Sequence, residues 1–282
     1  MAQLDPSLLL LIPAYNEEER IEPVLRDYAQ YFRAHYQGKF QVVVVLNGCR
    51  DHTLEVVQRV AKDHSCVGAI EFRDPIGKGG ALIEGLKLAP LADLVGYVDA
   101  DGATSPRALH ELVKRAHQAD CVIGSRWLPG AVLHQSQTSQ RRFASRAFHF
   151  IVQLLFWMNI RDTQCGAKVM HRAAVEKVHD SLRIADMAFD INLLYALKRT
   201  GCKVLEVPTE WTDKAGSKVV LGPTSMTMLL SVIRLRVIHS PCRWVLRLLR
   251  PVEAWVYRKL RAPLPLPLPK PEKPKKPEKP GA

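Results

Sequence analysis

Residues Phe40-Gln41-Val42-Val43-Val44-Val45-Leu46 form a nearly unbroken β-branched run. A strand of this composition has no polar side to turn to water, so it must be buried on both faces, as in a parallel sheet covered by helices. Further apolar runs fall at 8–12, 94–98, 120–123 and 203–207, and segments with helical spacing separate them. Ile21, Val24, Leu25 and Tyr28 make one such helical face, Ala81, Leu82 and Leu86 a second, and Leu193, Leu194 and Leu197, behind Phe189, a third. Strands alternating with amphipathic helices predict an α/β domain whose mainly parallel sheet is flanked by helices. At 282 residues, 47% of them apolar, the chain is long enough for one such domain with a sizeable core.

The polar residues that end these runs carry the chemistry. The run 94–98 leads into Asp99-Ala100-Asp101-Gly102, and Ser105-Pro106 then signals a helix start. On extended backbone, residues i and i+2 point the same way, so both carboxylates can reach one cation. Hard oxygen ligands of this kind suit Mg²⁺ or Mn²⁺ completed by substrate phosphates. Taken alone, Asp-x-Asp is as well explained by a solvated turn or a helix cap. Gly77-Lys78-Gly79-Gly80 opens a helix without Walker A spacing. Its glycines allow close backbone approach, its N-terminus attracts anions and Lys78 adds a point charge, so it suits a diphosphate, with a structural turn as the alternative.

Pro13-Ala14-Tyr15-Asn16-Glu17 after the first strand, Asn47 after the second, the acid pair, Gly77-Lys78 and Gly124-Ser125-Arg126 stand in a fixed order along the chain. In that order they resemble the inverting glycosyltransferases of family 2, and within it the branch that glucosylates dolichyl phosphate, with its prokaryotic polyprenyl-phosphate relatives. The resemblance runs over roughly residues 8 to 238 and implies a GT-A-like nucleotide-sugar-binding domain. It implies that Pro13, Ala14, Tyr15, Glu17, Asn47, Lys78, Asp99, Ala100 and Lys218 contact the donor, and that Asp99 and Asp101 hold the metal. It places Ser125, Arg126 and Arg142 at the acceptor phosphate, and Asp190 near the sugar or acceptor as a catalytic group beside Asp101. Glu17 reads equally as a first-turn carboxylate favoured by the helix dipole, and Asp190 equally as a cap. The family usually has two aspartates where this chain has Leu46 and Asn47, so an amide replaces a charge at the base.

The expected reaction moves a hexose, glucose from UDP-glucose in the first place, to a polyprenyl or dolichyl phosphate. Mannosyl transfer from GDP-mannose and transfer to a non-lipid acceptor are the rivals within the class. A sugar-nucleotide pyrophosphorylase would be expected to begin with a Gly-rich loop after strand one, which Ile12-Pro13-Ala14-Tyr15 lacks. A binding module without catalysis would be favoured by loss of Asp99 or Asp101, and both are present.

The formal charge of +12 is unevenly placed, with 13 Lys/Arg against 3 Asp/Glu from Thr224 onward and 27 against 25 before it. A nucleic-acid binder would spread its excess over the domain, so no nucleic-acid partner is expected. Residues 224–262 read as basic amphipathic helices, with Met226, Leu229, Leu230, Ile233 and Val237 as an apolar stripe, Arg234, Arg236, Arg243, Arg247 and Arg250 as charge, and Trp244 and Trp255 as interfacial anchors. This predicts peripheral attachment to an anionic membrane surface, while packing on the enzyme's own core would account for 226–238 equally. Residues 263–282, rich in Pro and Lys, should be an extended tail. Scattered cysteines without Cys-x-x-Cys pairs, and no signal-like or spanning apolar run, fit a cytoplasmic location, peripherally on the cytoplasmic face of a membrane.

Overall fold

The computed structural model describes residues 5–134, 139–212 and 221–259, with side chains excepted at 139–144, 221–224, 242, 247 and 253. Seven strands form one sheet in the order β3-β2-β1-β4-β7-β5-β8. These are β1 Leu8–Ala14, β2 Phe40–Asn47, β3 Val67–Phe72, β4 Leu94–Tyr97, β5 Cys121–Ser125, β7 Lys168–His171 and β8 Val204–Pro208. β7 runs antiparallel to both its neighbours, and every other pairing is parallel. A small two-stranded ribbon pairs β6, Val132–Leu133, with β9, Glu210–Trp211.

Alternation along β1 explains why the apolar runs lack polar positions. Leu8, Leu10 and Ile12 point into one core with Ile21, Leu25 and Phe32 of α1 (Ile21–His35), Val57 of α2 (Thr53–Asp63) and Leu109 of α4 (Pro106–Lys114). Leu9 and Leu11 point into the opposite core. That second core is shared with Leu82 of α3 (Gly77–Gly85), Val152 of α5 (Ser139–Phe156), Val178 of α6 (Arg172–His179) and Leu194 of α7 (Phe189–Arg199). Helices on both faces of a mostly parallel sheet put the ligand crevice where the strand order reverses, outside the carboxyl ends of β1 and β4.

The first-turn reading of Glu17 is corrected here, since α1 begins only at Ile21. Asn16 takes a left-handed φ of 55°, and the Glu17 and Glu18 amides are donated to Thr53 and Asp51, so the chain turns once before the helix starts. On α8 (Leu221–Ile238) Arg234, expected among the surface charges, is buried, and the face that packs inward differs from the apolar stripe. Thr227, Ser231, Val232, Arg234 and Leu235 are buried, whereas Met226 and Ile233 are exposed. The Ser231 hydroxyl donates to Asp186 Oδ2 at 2.5 Å and meets the Tyr257 hydroxyl of α9 (Val245–Lys259) at 2.6 Å. Helices α8 and α9 are thereby tied to the same core as the sheet.

Candidate active site

Three loops at the carboxyl edge of the sheet are sewn to one another. The Asn16 side-chain oxygen accepts from the Arg50 amide at 2.8 Å, and the Glu17 amide donates to Thr53 Oγ1 at 2.8 Å. Asp51 takes the Glu18 amide at 3.1 Å, while Glu18 Oε2 takes the His52 amide at 2.8 Å. Asp51 also accepts from the Thr53 amide and hydroxyl, from one position before the N-cap of α2. Glu17 grips Arg20 with both oxygens, at 2.8 Å each. Above this seam Tyr15 is 46% exposed and Ala14 is buried.

Asn47, expected at the base, also braces the next helix. Its Oδ1 accepts from the Ile76 and Gly77 amides at 2.7 and 3.0 Å, which anchors the start of α3. With that oxygen used and the residue buried, the acceptor expected to face the base is already spent inside the protein. Gly79 is pressed against the 184–189 segment, where an added Cβ would meet the Ile184 carbonyl at 2.4 Å. The backbone under Lys78 is therefore held from both sides.

Lys78 reaches the acid pair. Its Nζ lies 2.6 Å from Asp99 Oδ1 and 3.9 Å from Asp190 Oδ2. Asp190 in turn takes Lys168 Nζ at 2.5 Å and the Tyr97 hydroxyl at 2.5 Å on its other oxygen, and Lys168 also donates to the Cys165 carbonyl at 2.6 Å. Burial alone would raise the Asp190 carboxyl, but Lys168 and Lys78 outweigh it and hold it below the usual carboxylate range. Burial would likewise depress the Lys78 ammonium, and Asp99 and Asp190 more than offset that. Asp101 accepts from the Ala103 amide at 2.9 Å, and burial together with the Asp99 charge raises its carboxyl. The Asp190 side chain is only 3% exposed, with Lys168 and Tyr97 on one oxygen and Lys78 beyond the other.

Two of the three residues expected at the acceptor have described side chains. Ser125, the last residue of β5, is fully buried, and its hydroxyl has no partner among the described residues. Arg126 is clamped by Asp162, whose Oδ2 takes the Arg126 amide at 2.9 Å and Nε at 2.7 Å while Oδ1 takes Nη2 at 2.9 Å. The guanidinium carbon sits 4.9 Å above the Trp211 ring. Glu206 of β8 caps this loop by accepting the Arg161 and Asp162 amides at 2.8 and 2.9 Å. Arg142, by its side chain, and Lys218, altogether, lie outside the described residues.

Sequence reasoning missed Tyr97, Asp162, Gly166 and Lys168 as parts of the site. Gly166 lies so close to Asp99 that a Cβ there would meet Oδ2 at 2.1 Å, so only glycine lets Asp99 take this position. A buried lysine two positions from a glycine carries no local signature in the sequence. No three His, Cys, Asp or Glu side chains among the described residues converge to enclose a metal by themselves. Asp99 and Asp101 fit a hard divalent cation only as a partial shell, completed by phosphate oxygens.

A doubly wound sheet with an acid pair at its topological switch point and a lysine-bearing helix start beside it defines a GT-A-type transferase domain. Residues 10–179 match the model of Glycosyl transferase family 2, and the chain belongs to that family. Over 233 residues it is 34% identical to the dolichyl-phosphate beta-glucosyltransferase of Drosophila melanogaster, covering 76% of this chain and 70% of that one. The human dolichyl-phosphate beta-glucosyltransferase is 32% identical over 231 residues, covering 76% and 69%. The glycosyltransferase AglD of Haloferax volcanii is 34% identical over 215 residues, covering 75% of this chain but only 34% of AglD, so the chain spans about a third of that relative. Among solved structures, glucosyl-3-phosphoglycerate synthase of Mycobacterium tuberculosis, in complex with Mn²⁺, UDP and glucosyl-3-phosphoglycerate, superposes with a TM-score of 0.60 at 18% identity, covering 84% and 82% of the two chains. Mannosyl-3-phosphoglycerate synthase of Rubrobacter xylanophilus gives 0.62 at 16% identity, covering 81% and 73%.

Proposed function

We propose that this glycosyltransferase moves glucose from UDP-glucose to a polyprenyl or dolichyl phosphate at a membrane surface, with inversion at the sugar carbon. The observation that carries the reading is the contact of Lys78 with Asp99 at the switch point. It puts a carboxylate pair and an ammonium where a donor diphosphate would have to lie. The names of the relatives supply the glucosyl and dolichyl-phosphate parts.

In this reading Asp99 and Asp101 hold Mg²⁺ or Mn²⁺, which when bound neutralises charge building on the departing diphosphate. Lys78 adds a second positive charge on the same side. The acceptor phosphate already carries an anionic oxygen, so it needs orientation rather than deprotonation. That agrees with the enclosure of Asp190, whose side chain is only 3% exposed. Tyr15, exposed above the β1 loop, is the side chain best placed to stack on the nucleotide base.

Attachment to the bilayer follows from the outer surface. Of the fifteen large apolar side chains exposed among the described residues, ten lie on α5 and the residue after it, on α8, on the 3₁₀ turn Pro241–Trp244 and on α9. Phe150, Leu154 and Trp157 belong to the α5 region, and Leu248, Val252 and Trp255 to α9. Arg146, Arg236, Arg243, Arg250 and Arg258 are exposed on the same helices. Each basic group near an anionic surface contributes about 1 kcal/mol. No helix among the described residues is long and apolar enough to cross a membrane. The attachment is peripheral and is shared between the catalytic domain and the C-terminal helices.

The test is transfer itself. Purified protein, Mn²⁺, radiolabelled UDP-glucose and dolichyl phosphate in mild detergent should yield glucose that partitions into organic solvent. Product from GDP-mannose and none from UDP-glucose would replace the glucosyl reading with a mannosyl one.

A further inference from the structure

The contact between Lys78 and Asp99 has a direct electrostatic consequence, which rests on the nucleotide-sugar reading. Asp99 offers Oδ1 to Lys78 at 2.6 Å, and the same carboxylate is the one a divalent cation would share with Asp101. The two positive charges compete for one ligand. Behind Lys78, Asp190 Oδ1 is already taken by Lys168 and Tyr97, so the inward position left to the ammonium is at Oδ2, 3.9 Å away, and it cannot go deeper. Nor can its backbone shift, since Asn47 holds the Ile76 and Gly77 amides and Gly79 abuts the Ile184 carbonyl. What remains free is the four-carbon stem, and its side chain is 16% exposed on the crevice side.

We propose that Lys78 and the divalent cation exchange on Asp99, so that metal binding releases the lysine onto the donor diphosphate. The charges favour such a step. Asp99, Asp101 and Asp190 face Lys78 and Lys168, three carboxylates against two ammonium groups, and a divalent cation turns that deficit into a surplus that only an anionic ligand relieves. Metal and nucleotide then bind in a linked manner. The ion displaces the lysine, and the displaced lysine completes the diphosphate site. Binding is coupled through one side chain without movement of the backbone.

The proposal gives two effects of opposite sign. In Lys78→Met the cation loses its competitor, so Mn²⁺ without nucleotide, followed through the paramagnetic resonance signal of the free ion, should bind on the order of tenfold tighter, the size of one charge contact in a partly buried site. With Mn²⁺ saturating, UDP measured by calorimetry should bind on the order of tenfold more weakly to the same variant. A lysine that only braces the fold would weaken both. Mn²⁺ binding that is unchanged or weaker in a folded Lys78→Met protein overturns the exchange. If that variant does not fold, a crystal structure of the wild type with Mn²⁺ and UDP decides. Lys78 on a diphosphate oxygen supports the exchange, and Lys78 still on Asp99 overturns it. A wild type that binds neither Mn²⁺ nor UDP overturns the nucleotide-sugar reading and the exchange together. Binding by the wild type with no gain in the variant overturns the exchange alone.

Discussion

Asp162 holds Arg126 by both oxygens and by the backbone amide of Arg126 as well, so one buried carboxylate ends the β5 strand and fixes the arginine that follows it. Breaking one side of such a buried pair leaves an uncompensated charge and costs about 3–5 kcal/mol. Asp162→Asn should therefore lower unfolding stability by about 3 kcal/mol near neutral pH. Replacing both partners, as Arg126→Met with Asp162→Leu, should cost clearly less than the sum of Arg126→Met and Asp162→Leu made singly in the wild type. Chemical denaturation of the four proteins checks this, and additive losses would show that the pair is not coupled.

The same pair predicts a pH signature. Burial would raise the Asp162 carboxyl, but the hydrogen bonds and charge of Arg126 prevail and hold it below the ordinary value. A carboxylate depressed in the folded state contributes stability above its unfolded value of about 3.9 and loses it as pH falls through the folded value. The gap between wild type and Asp162→Asn should thus be full at neutral pH and shrink below about pH 4. A gap that does not change across that range would assign the stabilisation to packing.

Gly166 leaves room for Asp99, since a methyl there would overlap Oδ2 at 2.1 Å. Gly166→Ala must push the carboxylate aside, and a displacement of that order costs about 100-fold in turnover at a positioned site. Mn²⁺ affinity should fall together with kcat, while the thermal midpoint moves little. Normal metal affinity with low activity would point away from Asp99 as the ligand.

Cys121 and Cys165 are fully buried, and burial pushes their thiols up to about 12 and about 11. Neither should react with iodoacetamide at pH 8 in the folded protein, whereas half-exposed Cys49 should. Peptide mass spectrometry after timed alkylation reads this directly. Early labelling of Cys165 would mean that the loop over Arg126 opens.

The exposed helix faces predict graded loss of membrane binding. Leu248→Glu with Trp255→Glu on α9, and Phe150→Glu with Leu154→Glu by α5, should each weaken sedimentation with anionic vesicles, and all four together should abolish it. Rising NaCl should weaken wild-type binding too, because surface attraction fades within a Debye length of about 10 Å at 0.1 M salt. Point substitutions serve here because Val232 and Leu235 of α8 belong to the core, so removing the helix would disturb the fold. If the α5 pair has no effect, attachment belongs to the C-terminal helices alone.

Periodicity and strand-end chemistry determined much of this protein from its sequence. A β-branched run such as Val42–Val45 is viable only between two layers of helices, so the α/β sheet was legible. So was the position of Asp99 and Asp101, because an acid pair after an apolar strand can only fall at the sheet's carboxyl edge. Local spacing could not say what each polar group would meet. Arg126 and Asp162 are 36 positions apart and Lys168 and Asp190 are 22 apart. They meet only because β7 inserts antiparallel between β4 and β5 and carries Lys168 to the same edge. The same holds for α8, whose two apolar-looking faces differ only in what lies beside them. Ser231 finds Asp186 and Tyr257, Val232 and Leu235 find the core, and Met226 and Ile233 are left outside. Burial of a charged or polar side chain is decided by its partner, and for these residues the partner is supplied by strand order rather than by neighbours in the chain.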